Sequence, residues 1–331
     1  MKAKIKNKVL LTGGSGMVGR NILSHPKSKN WEIFSPTSKE LNLANYENVV
    51  RCVKKIKPDI IIHAAGRVGG INANLSNPVD FLVENLDMGR NIILAARDSG
   101  VKKLLNLGSS CMYPRNAKNP LSEDMILKGE LEPTNEGYAI AKIMAARLCE
   151  YINHENLTLQ YKTIVPCNVY GKYDKFDLER SHLVPAIINK LTKALHEELK
   201  EVEIWGNGEA RREFMYASDL ADAIYYALDR FDKMPQVLNI GVGEDHTINE
   251  YYSVVAKVIG YKGDFKHNLE KPVGMLQKLL DVEKQTNWGW QPKTTLYDGI
   301  METYSYYISC LLYTSDAADD LLCVDLGGRR I

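Results

Sequence analysis

The chain has 331 residues, of which 45% are hydrophobic and 25% charged, with a formal net charge of +1. That is enough chain to bury a large core, and it offers no electrostatic footprint for a nucleic-acid partner. Six cysteines (Cys52, Cys111, Cys149, Cys167, Cys310, Cys323) stand without CxxC or Cys/His pairing, which argues against a disulfide framework or a metal site and fits a reducing cytoplasm.

From the N-terminus, Met1 to Lys6 leads into an apolar stretch too short for a signal peptide, and no apolar run reaches the roughly 20 residues needed to cross a bilayer. The first half then alternates short apolar runs with longer amphipathic segments. Strands are predicted at 8–12, 31–34, 60–63, 103–107 and 162–165, and helices at 17–23, 46–56, 79–99 and 138–153. This βαβ rhythm predicts an α/β fold with a doubly wound parallel sheet, its ligand crevice at the carboxyl ends of the strands. Residues 1–166 are read as the dinucleotide-binding domain. After Pro166 the pattern loosens: helices at 183–199, 218–231 and 249–259, the last opening after Thr247 as N-cap, and strands at 202–205 and 237–240. Residues 167–307 are read mainly as a smaller substrate-binding lid, with return segments to the first domain. The segment 308–331 continues no periodicity and is read as non-native or as a flexible tail.

The first strand runs into Gly13-Gly14-Ser15-Gly16-Met17-Val18-Gly19, which opens a helix. Bare backbone at Gly13, Gly16 and Gly19, beside Met17 and Val18, lets a pyrophosphate reach the helix N-terminus, where unpaired N–H groups favour anions. After the second strand, where an NAD site would place an acid, stand Ser35-Pro36-Thr37-Ser38-Lys39. Hydroxyls and Lys39 suit a 2′-phosphate, hence NADP(H), although Glu40 keeps NAD open. Tyr138 and Lys142, four apart, share one helix face. At about 5 Å and an effective dielectric of about 20, the ammonium favours a phenolate by roughly 3 kcal/mol, about two pKa units, bringing the phenol toward neutrality. Such a tyrosine can protonate a carbonyl oxygen as hydride reaches its carbon. Ser109 closes the preceding strand and can hold the same oxygen.

Several longer stretches carry a resemblance: Val68-Gly69-Gly70-Ile71, Gly108-Ser109-Ser110-Cys111-Met112-Tyr113-Pro114, Glu132-Pro133-Thr134-Asn135-Glu136-Gly137-Tyr138, Ser181-His182-Leu183-Val184-Pro185, Arg212-Glu213-Phe214 and Lys278-Leu279-Leu280-Asp281. With the glycine loop they resemble the extended short-chain dehydrogenases, and within them the GDP-L-fucose synthase family of 3,5-epimerase/4-reductases. The resemblance implies a GDP-linked 4-keto-6-deoxy sugar as substrate and Ser109, Tyr138 and Lys142 as the reductase triad, the last two also touching the cofactor. It further implies Cys111 and His182 as the epimerising acid/base pair, and substrate contacts at Asn168, Lys190, Trp205, Arg212 and Lys278. A homodimer joined through helices near 79–99 and 138–153 is implied too. A C4 ketone makes the C3 and C5 hydrogens acidic, and Cys and His need little tuning to exchange such protons near pH 7.

Three departures stand out: Ser15 and Lys190 where some relatives carry arginine, and Gly137 where proline is common. Nucleotide-sugar 4,6-dehydratases need an acidic pair where this chain has Cys111-Met112, which argues against dehydration. The competing readings are a 4-ketoreductase that does not epimerise and a non-catalytic dinucleotide-binding protein.

Overall fold

The computed structural model describes residues 6–177, 181–271 and 274–316. In chain order the first half carries β1 (Lys8–Thr12), α1 (Met17–Ser24), β2 (Glu32–Phe34), α2 (Tyr46–Ile56), β3 (Ile60–His63), α3 (Ile71–Ser76), α4 (Pro78–Asp98), β4 (Lys103–Leu107), α5 (Glu136–Glu155) and β5 (Gln160–Pro166). The second half carries β6 (Asn168–Tyr170), α6 (Leu183–His196), β7 (Glu201–Trp205), β8 (Arg211–Arg212), β9 (Phe214–Tyr216) and α7 (Ala217–Asp229). It continues with β10 (Val237–Ile240), β11 (His246–Thr247), α8 (Ile248–Ile259), β12 (Asp264–Asn268), β13 (Gln277–Lys278), α9 (Glu283–Trp288) and α10 (Leu296–Asp316). The predicted elements reappear with ends shifted by a few residues. The elements not predicted are α3, the short strands β6, β8, β9, β11, β12 and β13, and the helices α9 and α10.

The main sheet is parallel throughout, in the order β10-β5-β4-β3-β1-β2. Its central strands are mostly apolar because both of their faces are covered. Leu10, Ile61, Leu104 and Tyr161 pack under α2, α4 and α5, whereas their neighbours Val9, Leu11, Ile62 and Leu105 share a core with Ile22 of α1 and Leu220 and Ile224 of α7. The strand order reverses direction between β1 and β3, and at such a switch point the connecting loops splay apart and leave a crevice. β10 and α7 come from the C-terminal half yet complete this sheet and its cover. A second core, built from Val184, Ile187 and Leu191 of α6, Tyr251 and Val255 of α8, Val202 and Ile204 of β7, and Ile300 and Tyr307 of α10, forms the smaller unit. α8 opens with the expected cap, elaborated into a reciprocal pair: Thr247 Oγ1 accepts from Glu250 N and Glu250 accepts from Thr247 N.

The boundary placed at 307 falls inside α10, where Ile308 packs against the second core. Residues 317–331 of the expected tail lie outside the described residues.

Candidate active site

The glycine loop is shaped by close approach. Gly13 has φ +75°, and a Cβ there would sit 2.6 Å from the backbone nitrogen of Ala65, in the loop after β3. A Cβ on Gly19 would sit 2.2 Å from the Gly13 carbonyl oxygen, so α1 can leave β1 this tightly only with glycine. Gly16 N-caps α1 with no side-chain cap and no acid in the first turn, which leaves that end suited to an anion. A cleft of about 1040 Å³ runs past Thr12–Gly19, Ser38, Ala64–Gly66, Ser109, Tyr138 and Lys142, and continues past Cys111, Asn168, His182, Lys190, Trp205, Arg212 and Lys278. All but one of the predicted site residues therefore line a single cleft.

The exception is Lys39, which is exposed and does not line it. Pro36 and Ser38 of the same turn do line it. Glu40, the residue that kept NAD open, spends its carboxylate on its own turn, accepting from Thr37 N at 2.8 Å and Thr37 Oγ1 at 2.9 Å. No carboxylate from this loop lines the cleft, so nothing in the loop opposes a 2′-phosphate.

Tyr138 and Lys142 share the inner face of α5, with Lys142 Nζ 5.7 Å from the Tyr138 ring centre. The ammonium donates to the Leu107 carbonyl oxygen at 2.9 Å. The expected drop of the phenol toward neutrality is not found. Burial pushes Tyr138 up, with Cys111 adding to the rise and a Ser109 hydrogen bond opposing it, and burial pushes Lys142 down to about 8. Desolvating both groups outweighs their mutual field, so Tyr138 is a phenol and a proton donor at neutral pH.

Cys111 sits on a short 3₁₀ turn, Ser110–Met112, whose N-cap is Ser109; the Ser109 hydroxyl accepts from Cys111 N at 3.3 Å. Two donors reach its sulfur: Asn135 Nδ2 at 3.2 Å and Lys278 Nζ at 3.8 Å. His182 holds the N-cap position of α6 but makes no capping bond with its side chain. Its imidazole is pushed down first by burial and then by the Lys278 charge, and is neutral at pH 7. Lys278 thus acts on both members of the predicted pair.

The remaining predicted contacts are held by backbone bonds. Asn168 donates to the Glu213 carbonyl at 3.0 Å, Lys190 donates to the Glu203 carbonyl, and Arg212 Nη1 donates to the Arg211 carbonyl at 2.8 Å. Trp205 is half-exposed, with the Lys271 ammonium 5.4 Å from its ring centre.

The model of the NAD dependent epimerase/dehydratase family matches residues 9–241. The chain belongs to that family. The GDP-L-colitose synthase of Yersinia pseudotuberculosis is 57% identical over 302 residues, covering 91% of this chain and 98% of its own. The GDP-L-fucose synthase of Azorhizobium caulinodans is 48% identical over 302 residues, covering 91% of this chain and 96% of its own. Among solved structures, the GDP-mannoheptose C4 reductase of Campylobacter jejuni with NADP bound superimposes with a TM-score of 0.84 at 30% identity, covering 92% of this chain and 99% of that one.

Within this epimerase/dehydratase frame, two site residues escaped sequence reasoning although both lay inside the motifs that carried it. Asn135 donates to the Cys111 sulfur. Glu213 stands between Arg212 and Phe214. It is buried, and its carboxylate accepts from Val242 N, Gly243 N and Leu280 N at 2.6, 2.8 and 2.9 Å. Burial pushes it up to about 7 despite those three donors.

Proposed function

We propose that the protein is an NADP(H)-dependent epimerase/reductase that converts GDP-4-keto-6-deoxy-mannose, or a closely related 4-keto nucleotide sugar, to GDP-L-fucose by C3/C5 epimerisation and C4 reduction. The observation that carries this reading is that Cys111 and His182 line the same cleft as Ser109, Tyr138 and Lys142, with donors already on the Cys111 sulfur. The glycine loop, the helix end behind it and the absence of a carboxylate from the β2 loop support NADP(H), as does the bound NADP of the Campylobacter reductase.

When bound, the nicotinamide supplies the hydride for C4. Tyr138 gives its proton to the C4 oxygen, which the Ser109 hydroxyl holds. The Lys142 ammonium, anchored on Leu107, stabilises the phenolate left behind. For epimerisation the same two groups stabilise negative charge on that oxygen while Cys111 and His182 take and return protons at the neighbouring carbons. Arg212, Lys190 and Trp205, together with Lys278, supply the cations and the aromatic face for the nucleotide diphosphate and sugar.

The likeness to a C4 reductase favours one alternative, reduction without epimerisation. Incubation with GDP-4-keto-6-deoxy-mannose and NADPH in heavy water separates the two by mass spectrometry of the product. Deuterium at C3 and C5 is expected; a reduced product with none at either carbon leaves the plain reductase. We further propose a cytoplasmic homodimer joined through α4 and α5. The exposed Val79 and Val83 of α4 and Ile140 and Tyr151 of α5 support the interface, and among the described residues no helix is long and apolar enough to cross a membrane.

A further inference from the structure

Asn135 occupies the N-cap of α5, a position at which asparagine is among the best caps, yet its side chain makes no capping bond. Its amide nitrogen goes to the Cys111 sulfur instead, and its Oδ1 is buried with no hydrogen-bond partner among the described residues. An amide that leaves its helix uncapped and its own carbonyl oxygen unpaired is held for the sulfur rather than for the fold.

Lys278 approaches the same atom from another element. It lies on β13, paired with β8, and the two residues after it are pinned: Leu279 N donates to Asn119 Oδ1 at 2.8 Å and Leu280 N donates to buried Glu213 at 2.9 Å. An ammonium and an amide NH₂ have protons to give and no lone pair to offer, so neither can accept from a thiol, and both favour negative charge on sulfur. The other titratable or charged groups facing this part of the cleft are Tyr138, Lys142, His182, Arg212 and Glu132. Tyr138 and His182 are neutral, Lys142 and Arg212 add positive charge, and the Glu132 carboxylate is engaged with Thr134 N and Thr134 Oγ1 at 3.4 and 3.1 Å.

We infer that Asn135 and Lys278 are positioning residues that hold Cys111 as a thiolate, aimed at the carbon beside the ketone before the sugar arrives. This rests on the reading of Cys111 as one of the epimerising pair, and it adds how that base is kept deprotonated. Cys111 then removes the proton directly and the electron pair passes to the C4 oxygen; the carbon regains a proton on its other face through His182, which recovers one from solvent, and the Cys111 thiol so formed releases its proton to solvent.

The test uses the full chain and reads the thiol apart from catalysis. Cys111 is alkylated with iodoacetamide at pH 7 and at pH 10 and quantified by peptide mass spectrometry, with Cys52 and Cys310 as internal references. Asn135→Asp, close in shape but acidic, and Lys278→Met are each expected to slow Cys111 alkylation about tenfold at pH 7. The difference should close at pH 10, and Lys278→Arg should restore the pH 7 rate to within about threefold of the parent. Rates at pH 7 equal to the parent in both variants would overturn the inference, as would a slowing that persists unchanged at pH 10, which marks a steric effect. Should Asn135→Asp fail to fold, Asn135→Ser gives the same reading. If the alkylation rates shift as expected while the parent incorporates no solvent deuterium, the thiolate stands and the epimerase reading fails; if deuterium is incorporated and the rates do not move, the reverse holds.

Discussion

Tyr138 and Lys142 show how little a motif says about protonation. Four-residue spacing brings the pair together, but burial keeps the phenol protonated and weakens the lysine's hold on its proton. Tyr138→Phe is therefore expected to cut reduction by at least about a hundredfold, the usual scale of a lost proton donor, while NADPH binding measured by fluorescence stays close to the parent. Lys142 is pushed down to about 8, so its charge is present below that pH and lost as pH rises through it. The rate of reduction should fall on the alkaline side with a midpoint near 8, because a neutral amine no longer stabilises the phenolate. A profile flat to pH 10 would show that Lys142 acts by shape alone.

Among the elements, the β8–β13 pair does the most to assemble the substrate side, and Glu213 secures it. Its three backbone donors come from the loop after β10 and from the residue two beyond Lys278, while its own carbonyl takes Asn168. The buried carboxylate thus ties the segment after Lys278 to the loop after β10, while the Glu213 backbone carbonyl holds Asn168. Glu213→Gln turns one acceptor into a donor facing a backbone N–H. It should cost roughly 1–3 kcal/mol in urea denaturation and raise the KM for the nucleotide sugar. Stability within about 0.5 kcal/mol of the parent would remove Glu213 from that role.

For the whole molecule, the helix layer of α4 and α5 and the course of α10 carry the remaining expectations. A homodimer predicts a solution mass near twice the 37.3 kDa of the chain, and Val83→Glu on the exposed face of α4 should shift it toward the monomer in sedimentation. Ending the chain after Tyr307 removes Ile308 from the second core and cuts α10 short, so that form should melt below one ending at Asp316. Equal melting temperatures would put the boundary back at 307.

The main sheet was legible because strands covered on both faces are predominantly apolar, which is visible in runs such as Ile60-Ile61-Ile62. The glycine loop, Ser109 and the Tyr138–Lys142 pair could be placed from a few residues of chain, whereas Cys111 and His182 stood out only through the family resemblance. The β8–β13 pairing was not, since two-residue strands have no periodicity and exist only through partners more than sixty residues away. Nor was the inward or outward sense of Lys39 and Glu40, which a turn sets by hydrogen bonds that composition does not encode. The same holds for the direction of the Tyr138 shift. Sequence by itself determined which reactive groups the chain owns and which helix face they share. Only the tertiary structure decided what surrounds each of them, because desolvation and donor geometry depend on segments that meet in space and not in order along the chain.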